Sequence, residues 1–168
     1  MNEKMNGDMV YTKHAGGQKT SLSRSRMHAK NDTNLTSMTT SRLTLREPIK
    51  QDWKDVYEYM QYGSVQEYMP QTPKDYTEDD AKNKLQSLQA LNARDDAKVW
   101  VIEHDETSKA IGIIDEKLTR QHPKVRLGYH ISPDYQRQGL MTEAIEKVIR
   151  RGFDNNVHKF TAEIAAQN

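Results

Sequence analysis

The sequence predicts an α/β protein on a mixed sheet, and its last third carries the strongest sign. There a strand-period run, a helical apolar stripe and a second apolar strand follow one another, an order that normally closes as a right-handed parallel unit. Ahead of it, two strands joined by a short turn read as an antiparallel hairpin. At 168 residues the chain is long enough for one domain with a core and too short to expect two.

Residues 1–40 are rich in Ser, Thr, Asn, Gly, Lys and Arg, with apolar residues scattered at neither helical nor strand period, so a disordered extension is expected. Six basic residues (Lys4, Lys13, Lys19, Arg24, Arg26, Lys30) stand there against Glu3, Asp8 and Asp32. This composition fits a solvated tail, a basic arm for nucleic acid or ribosome, or a transit peptide. Met38, just before the first patterned segment, is a candidate natural start.

Arg42-Leu43-Thr44-Leu45-Arg46 alternates as a strand and is closed by Pro48. Asp52 can cap a helix carrying Trp53, Val56, Tyr57 and Met60 on one face. Gly63, Pro70 and Pro73 mark loops. Thr77-Glu78-Asp79-Asp80 opens a second helix, with Ala81, Leu85, Leu88 and Leu91 at helical spacing. Residues 98–104 and 109–118 form the hairpin strands. Val125, Leu127, Tyr129 and Ile131 alternate with polar residues as the next strand. The helix stripe is Leu140, Met141, Ala144, Ile145, Val148, Ile149 and Phe153, and residues 160–166 return as strand.

Composition narrows the function classes. With no cysteine there are no disulfides, thiolate metal sites or cysteine nucleophile, which fits a reducing, cytoplasmic setting. No apolar run approaches the ~20 residues of a membrane span, so no membrane partner is expected. Mean hydropathy is −0.97, the average of a polar tail and a patterned core. The formal net charge is +1, and the core has no basic stripe or aromatic platform for nucleic acid.

The segment with chemical content is Gln136-Arg137-Gln138-Gly139-Leu140-Met141-Thr142-Glu143-Ala144. It joins a strand end to a helix start, where backbone N–H groups lack intrahelical partners and the dipole is positive. Two readings stand on these residues. One is a loop that holds a diphosphate by main-chain amides, with Gly139 keeping the backbone approachable and Arg137 adding charge. The other is an ordinary turn that contains a glycine. The loop lacks the Gly-Lys-Ser/Thr of a Walker loop and the three-glycine dinucleotide spacing.

Residues Leu127 to Ala144 together resemble the acetyl-CoA motif of the GNAT superfamily, in its ribosomal-protein and amino-terminal acetyltransferase branch. Gln136, Gly139 and Met141 occupy the pyrophosphate-binding positions. Ser41–Pro48, Val65–Pro70 and Ala110-Ile111-Gly112 resemble that family's first strand, early loop and third strand. The resemblance covers about residues 40–168 and implies a mixed, mostly antiparallel sheet flanked by helices. It also implies transfer of an acetyl group from acetyl-CoA, without a metal, to a primary amine such as a protein N-terminus or small amine. The cofactor-binding residues it implies are His130, Ile131, Gln136, Arg137, Gln138, Gly139, Leu140, Met141, Thr142 and Asn168. An amide at His130 or Ile131 is the expected oxyanion donor, and Asn168 matches a residue that contacts the pantetheine arm.

Such enzymes position an amine against a thioester, hold the oxyanion and remove a proton, usually with a carboxylate. Many relatives carry Glu just before the Leu-Gly-Tyr of this strand, where the chain has Arg126. The substitutes are Asp115 and Glu116, with Glu116 preferred and His130 a third option. Relatives also continue past Asn168 with a helix, a Gly-Phe turn and two strands. A domain over 41–168, incomplete at its C-terminus, is therefore expected, with strand 158–166 open at its outer edge and inviting self-association. The alternative to an active enzyme is a catalytically impaired CoA-binding or vestigial fragment.

Overall fold

A computed structural model describes residues 7–12, 36–69, 72–119 and 124–164. Its strands are β1 (Gly7–Thr12), β2 (Ser37–Thr39), β3 (Leu43–Arg46), β4 (Ala97–His104), β5 (Lys109–Thr119), β6 (Lys124–Ile131) and β7 (Lys159–Ile164). They form one sheet in the order β1-β7-β6-β5-β4-β3-β2. Only β6 and β7 run parallel; every other neighbouring pair is antiparallel. The expected mixed, mostly antiparallel α/β sheet is what forms.

Helix α4 (Leu140–Asp154) crosses from β6 to β7 and covers one face. Its stripe of Leu140, Ala144, Ile145, Val148 and Ile149 packs on Leu43, Leu45, Trp100, Ile114, Leu127 and Phe160. Helices α1 (Trp53–Met60), α2 (Gly63–Tyr68) and α3 (Glu78–Asn92) cover the opposite face. There Val56, Met60, Ala81, Leu85 and Leu88 meet Val99 and Ile113. Successive strand residues alternate between the two cores, as the pleat requires.

Helix α3 starts as its sequence predicts, with Thr77 and Asp80 closing a reciprocal capping box. Asp52 behaves differently. Its carboxylate is buried and takes the Ile49 amide at 2.8 Å and two Arg46 nitrogens at 2.9 and 2.7 Å, making no cap bond to α1. Arg46 also donates to Glu103 at 2.6 Å, so this charge pair ties β3, β4 and the entry to α1 together. A guanidinium at that site reaches both carboxylates where a helix amide reaches one.

Three other expectations change. Residues 63–68, expected as loop, form the short helix α2 with Val65 buried beneath it. Its six residues are too few to show a helical stripe in sequence. Within the expected disordered tail, Gly7–Thr12 is a strand paired antiparallel along all of β7. The outer edge of β7 is therefore covered, and the open edge expected at 158–166 is not what the structure shows for Lys159–Ile164. Main-chain pairing needs no side-chain period, so the segment was silent in sequence.

At Gly152 in α4, a Cβ would run into the ring of Phe160, which is fully buried and meets Phe153 edge-on at 5.4 Å. Gly152→Ala should therefore destabilise the protein by about 1–3 kcal/mol, the usual result of overpacking. Chemical denaturation of Gly152→Ala, Phe160→Leu and the double variant tests this, and the second substitution should relieve much of the first one's effect.

Candidate active site

The ladder between β6 and β7 is short. Among the described residues it runs from Lys124–Lys159 to Leu127–Ala162 and then stops, while β6 stays paired with β5 as far as Ile131–Gly112. Residues 128–131 thus leave β7, and 129–131 border a cleft of about 570 Å³. Its lining includes Tyr129, His130, Ile131, Tyr135, Gln136, Arg137, Gly139, Leu140, Met141 and Thr142 on one side, and Ser64, Val65, Tyr68 and Met69 of the α2 region on the other.

The direction of the β6 amides follows from one bond. Ser132 N–H donates to Ile111 O at 2.7 Å, toward β5. Amides alternate along a strand, so His130 N–H also points toward β5, opposite Ile113, whereas Ile131 N–H points away from β5 toward the opening. Of the two expected oxyanion donors, the geometry favours Ile131.

The turn after β6 then presents the start of α4. Pro133–Tyr135 form a 3-10 turn, and Arg137 (φ 61°) and Gly139 (φ 77°) both adopt left-handed backbone. A Cβ on Gly139 would meet only Arg42 Nη2, at 3.7 Å. The glycine is thus favoured by its φ, where L residues are strained, and the protein itself leaves room there. The first intrahelical bond of α4 is Glu143 N–H to Gly139 O at 3.0 Å, and no side chain caps the helix. The Leu140, Met141 and Thr142 amides precede that bond, and all three residues line the cleft.

Behind the turn is a brace. Glu143 accepts from Ser41 Oγ (2.9 Å), Arg42 N–H (3.1 Å) and Arg42 Nε (2.9 Å), and Arg42 Nη1 donates to Gln138 O at 3.1 Å. Burial opposes ionisation of Glu143, but hydrogen bonds from Thr40, Arg42 and Ser41 outweigh it and hold the carboxyl down to about 2. Gln138 helps build the turn, with Nε2 donating to Asp134 O at 3.0 Å, and does not line the cleft. Asn168 lies outside the described residues.

Alternation along β5 separates the two expected carboxylates. Ile114 and Glu116 face α4. Glu116 is 6% exposed, accepts from Trp100 Nε1 at 2.5 Å and lies 3.5 Å from Arg151. Burial pushes its carboxyl up against the lowering influence of Trp100, Arg151 and Lys98. It borders a separate cavity of about 690 Å³ with Lys98 and Arg151, away from the cleft. Asp115 shares the α1–α3 face with Ile113. A Cβ on Gly128 would come within 2.5 Å of its Oδ1, so the carboxylate lies directly over that glycine. It is 23% exposed, with Lys117 3.9 Å away. Gly128 is two residues before His130 on the same face, so Asp115 stands diagonal to His130, roughly 7–8 Å off between Cα atoms. Of the two carboxylates, Asp115 alone shares the sheet face of His130.

His130 is packed against Tyr59, ring centroids 5.6 Å apart, and its Nε2 is hydrogen-bonded to Tyr59 Oη at 3.1 Å. Burial, then the charge of Lys84, holds the ring down to about 3, so it is neutral near pH 7 and a weak base. Burial likewise raises the Tyr59 phenol above its ordinary range. Among the described residues no group of three or more metal-ligating side chains gathers, and no helix is long and apolar enough to cross a membrane.

Residues 42–168 match the acetyltransferase (GNAT) domain family. The chain belongs to that family. YnaD of Bacillus subtilis, described as an uncharacterized N-acetyltransferase, is 33% identical over 132 residues, covering 78% of this chain and 74% of the relative. A GNAT-family acetyltransferase from Bacillus anthracis superposes with TM-score 0.67 at 21% identity, over 79% of this chain and 75% of that one. The ribosomal-protein-S5-alanine acetyltransferase of Vibrio fischeri does so with TM-score 0.59 at 22% identity, over 75% and 72%. The chain is thus a GNAT acyltransferase with ribosomal-protein acetyltransferases among its structural neighbours.

In this GNAT domain the Glu143 brace has a pH consequence. Its folded pKa lies below the ordinary 4.5, so its stabilisation is complete above about 4.5 and is lost as pH falls from there toward 2. Thermal melts from pH 7 down to 2 should show Glu143→Gln less stable than wild type at neutral pH. Its stability should also fall less steeply on acidification.

Proposed function

We propose that the chain transfers the acetyl group of acetyl-CoA to a primary amine, a protein N-terminal amino group or a small amine, in the cytoplasm. The observation that carries this reading is the cleft where β6 leaves β7, because one concavity joins an outward amide, a left-handed glycine turn and the uncapped start of α4. These features fit a diphosphate and an extended thioester arm, and family membership supports acetyl transfer. Acetyl-CoA would supply an activated acetyl thioester. The amides of Leu140, Met141 and Thr142 take the diphosphate, with Arg137 beside them. Ile131 N–H holds the oxygen that becomes negative when the amine attacks.

Asp115 is the proposed proton acceptor, acting through water from the α1–α3 face. The amine must be neutral to attack. An α-amino group, with pKa ~7.7–8.0, loses its proton more easily than a lysine at ~10.4. That difference favours N-terminal amines for a site whose nearest candidate base is one partly exposed carboxylate. The acetylated nitrogen sheds its proton toward Asp115, the carbon–sulfur bond breaks, and the sulfur leaves as CoA thiol after taking a proton from solvent.

Calorimetry with CoA tests the cleft. Asp tolerates left-handed backbone better than most residues and has room at position 139, so Gly139→Asp should fold, yet its carboxylate would sit among the amides meant for phosphate. CoA affinity should be lost, and unchanged affinity in the folded variant would refute the assignment.

Acetylation of peptide amines tests the base. Asp115→Asn should lower turnover by roughly 10²-fold or more with little change in CoA affinity. Glu116→Gln should lower the melting temperature and leave the pH–rate profile in place. CoA binding without turnover in the wild type would instead favour the non-catalytic reading.

A further inference from the structure

The strand that parts from β6 at the gap is held unevenly. Strand β7 has four register pairs with β6, from Lys159 to Ala162, and six with β1, from Lys159 to Ile164. Among the described residues, Glu163 and Ile164 pair only with Asp8 and Gly7. These two residues belong to the half of β7 that β6 has left. Without β1, that half would have ladder groups unpaired on both edges, a state that sheet backbone avoids.

We propose that the outer edge of β7 is a strand-binding site whose occupant is Gly7–Thr12 of the same chain. By this pairing the N-terminal strand fixes the β7 edge of the gap that β6 leaves. It acts as a positioning element, touching neither reactant. The occupant is set by the register itself, six consecutive antiparallel pairs along the whole of β7. Strand addition of this kind relies on main-chain bonds, which explains why a polar, unpatterned segment can supply it. The link to CoA rests on the function proposed above, whereas the pairing does not.

Strand geometry gives the test. β1 is the outermost strand of the described sheet, so successive amides point alternately to β7 and away from it. Proline removes one amide and is tolerated on an edge strand where that amide faces outward. In the full chain, one of Met9→Pro and Val10→Pro should therefore lower the melting temperature by several degrees and weaken CoA binding roughly 5-fold or more. The other should stay near wild type. Hydrogen exchange of the wild type should show alternate protection from Gly7 to Thr12, and the protein should sediment as a monomer.

Two neutral prolines would overturn the proposal, as would two equally harmful ones, which would mean that the ladder is not what holds the segment. A dimer whose N-terminal strands are exchanged would overturn the same-chain occupant. If the full chain binds no CoA, the acetyl-CoA reading and the brace on the opening both fall, while melting and exchange still decide the strand pairing.

Discussion

Two parallel strands that pair for four residues and then part are the constraint on which the site depends. Pairing of β6 and β7 brings Val125, Leu127, Phe160 and Ala162 into one core beneath α4. Their separation beyond Leu127 turns main chain that would otherwise be buried in a ladder toward a cleft. The sheet survives this opening because each strand keeps its other neighbour, β5 for β6 and β1 for β7.

The two faces of the sheet have different tasks. On the α4 side, apolar packing and the contacts of Trp100 with Glu116, Arg151 and Lys98 hold the crossover helix against the strands. The buried Glu116 belongs to that network, and removing it would leave Arg151 and the Trp100 indole without this carboxylate. On the α1–α3 side, Tyr59, His130 and Asp115 bring polar groups next to the strand that bears the outward amide. In the proposed reaction, donor and acceptor would therefore approach Tyr129, His130 and Ile131 of β6 from different directions, the arrangement that direct attack requires.

The charge placement behind the turn is equally economical. Arg42 fastens both the first turn of α4, through Glu143, and the turn itself, through Gln138 O. The turn is thus ordered by the protein itself, as the proposed anion site would need. Preorganisation of this kind leaves binding energy for the reactants.

Periodicity alone determined much of this protein. The strand alternation at Leu43 and Leu45, the stripe from Leu140 to Phe153, the hairpin and the β-α-β order are all local patterns of burial, and each became the element expected. The glycine turn at 136–139 was legible too, because left-handed backbone and an uncapped helix start leave marks on residue type. What only the tertiary structure decided depends on partners distant in sequence or on main chain. The Glu143 partners lie about 101–102 residues away, and Asp52 exchanged a helix amide for Arg46. Asp115 and Glu116 are adjacent in sequence and opposite in space, so the face each occupies turned on which way one strand ran. β1 was invisible for the simplest reason: backbone hydrogen bonds are the same for every residue but proline, and carry no signature in composition.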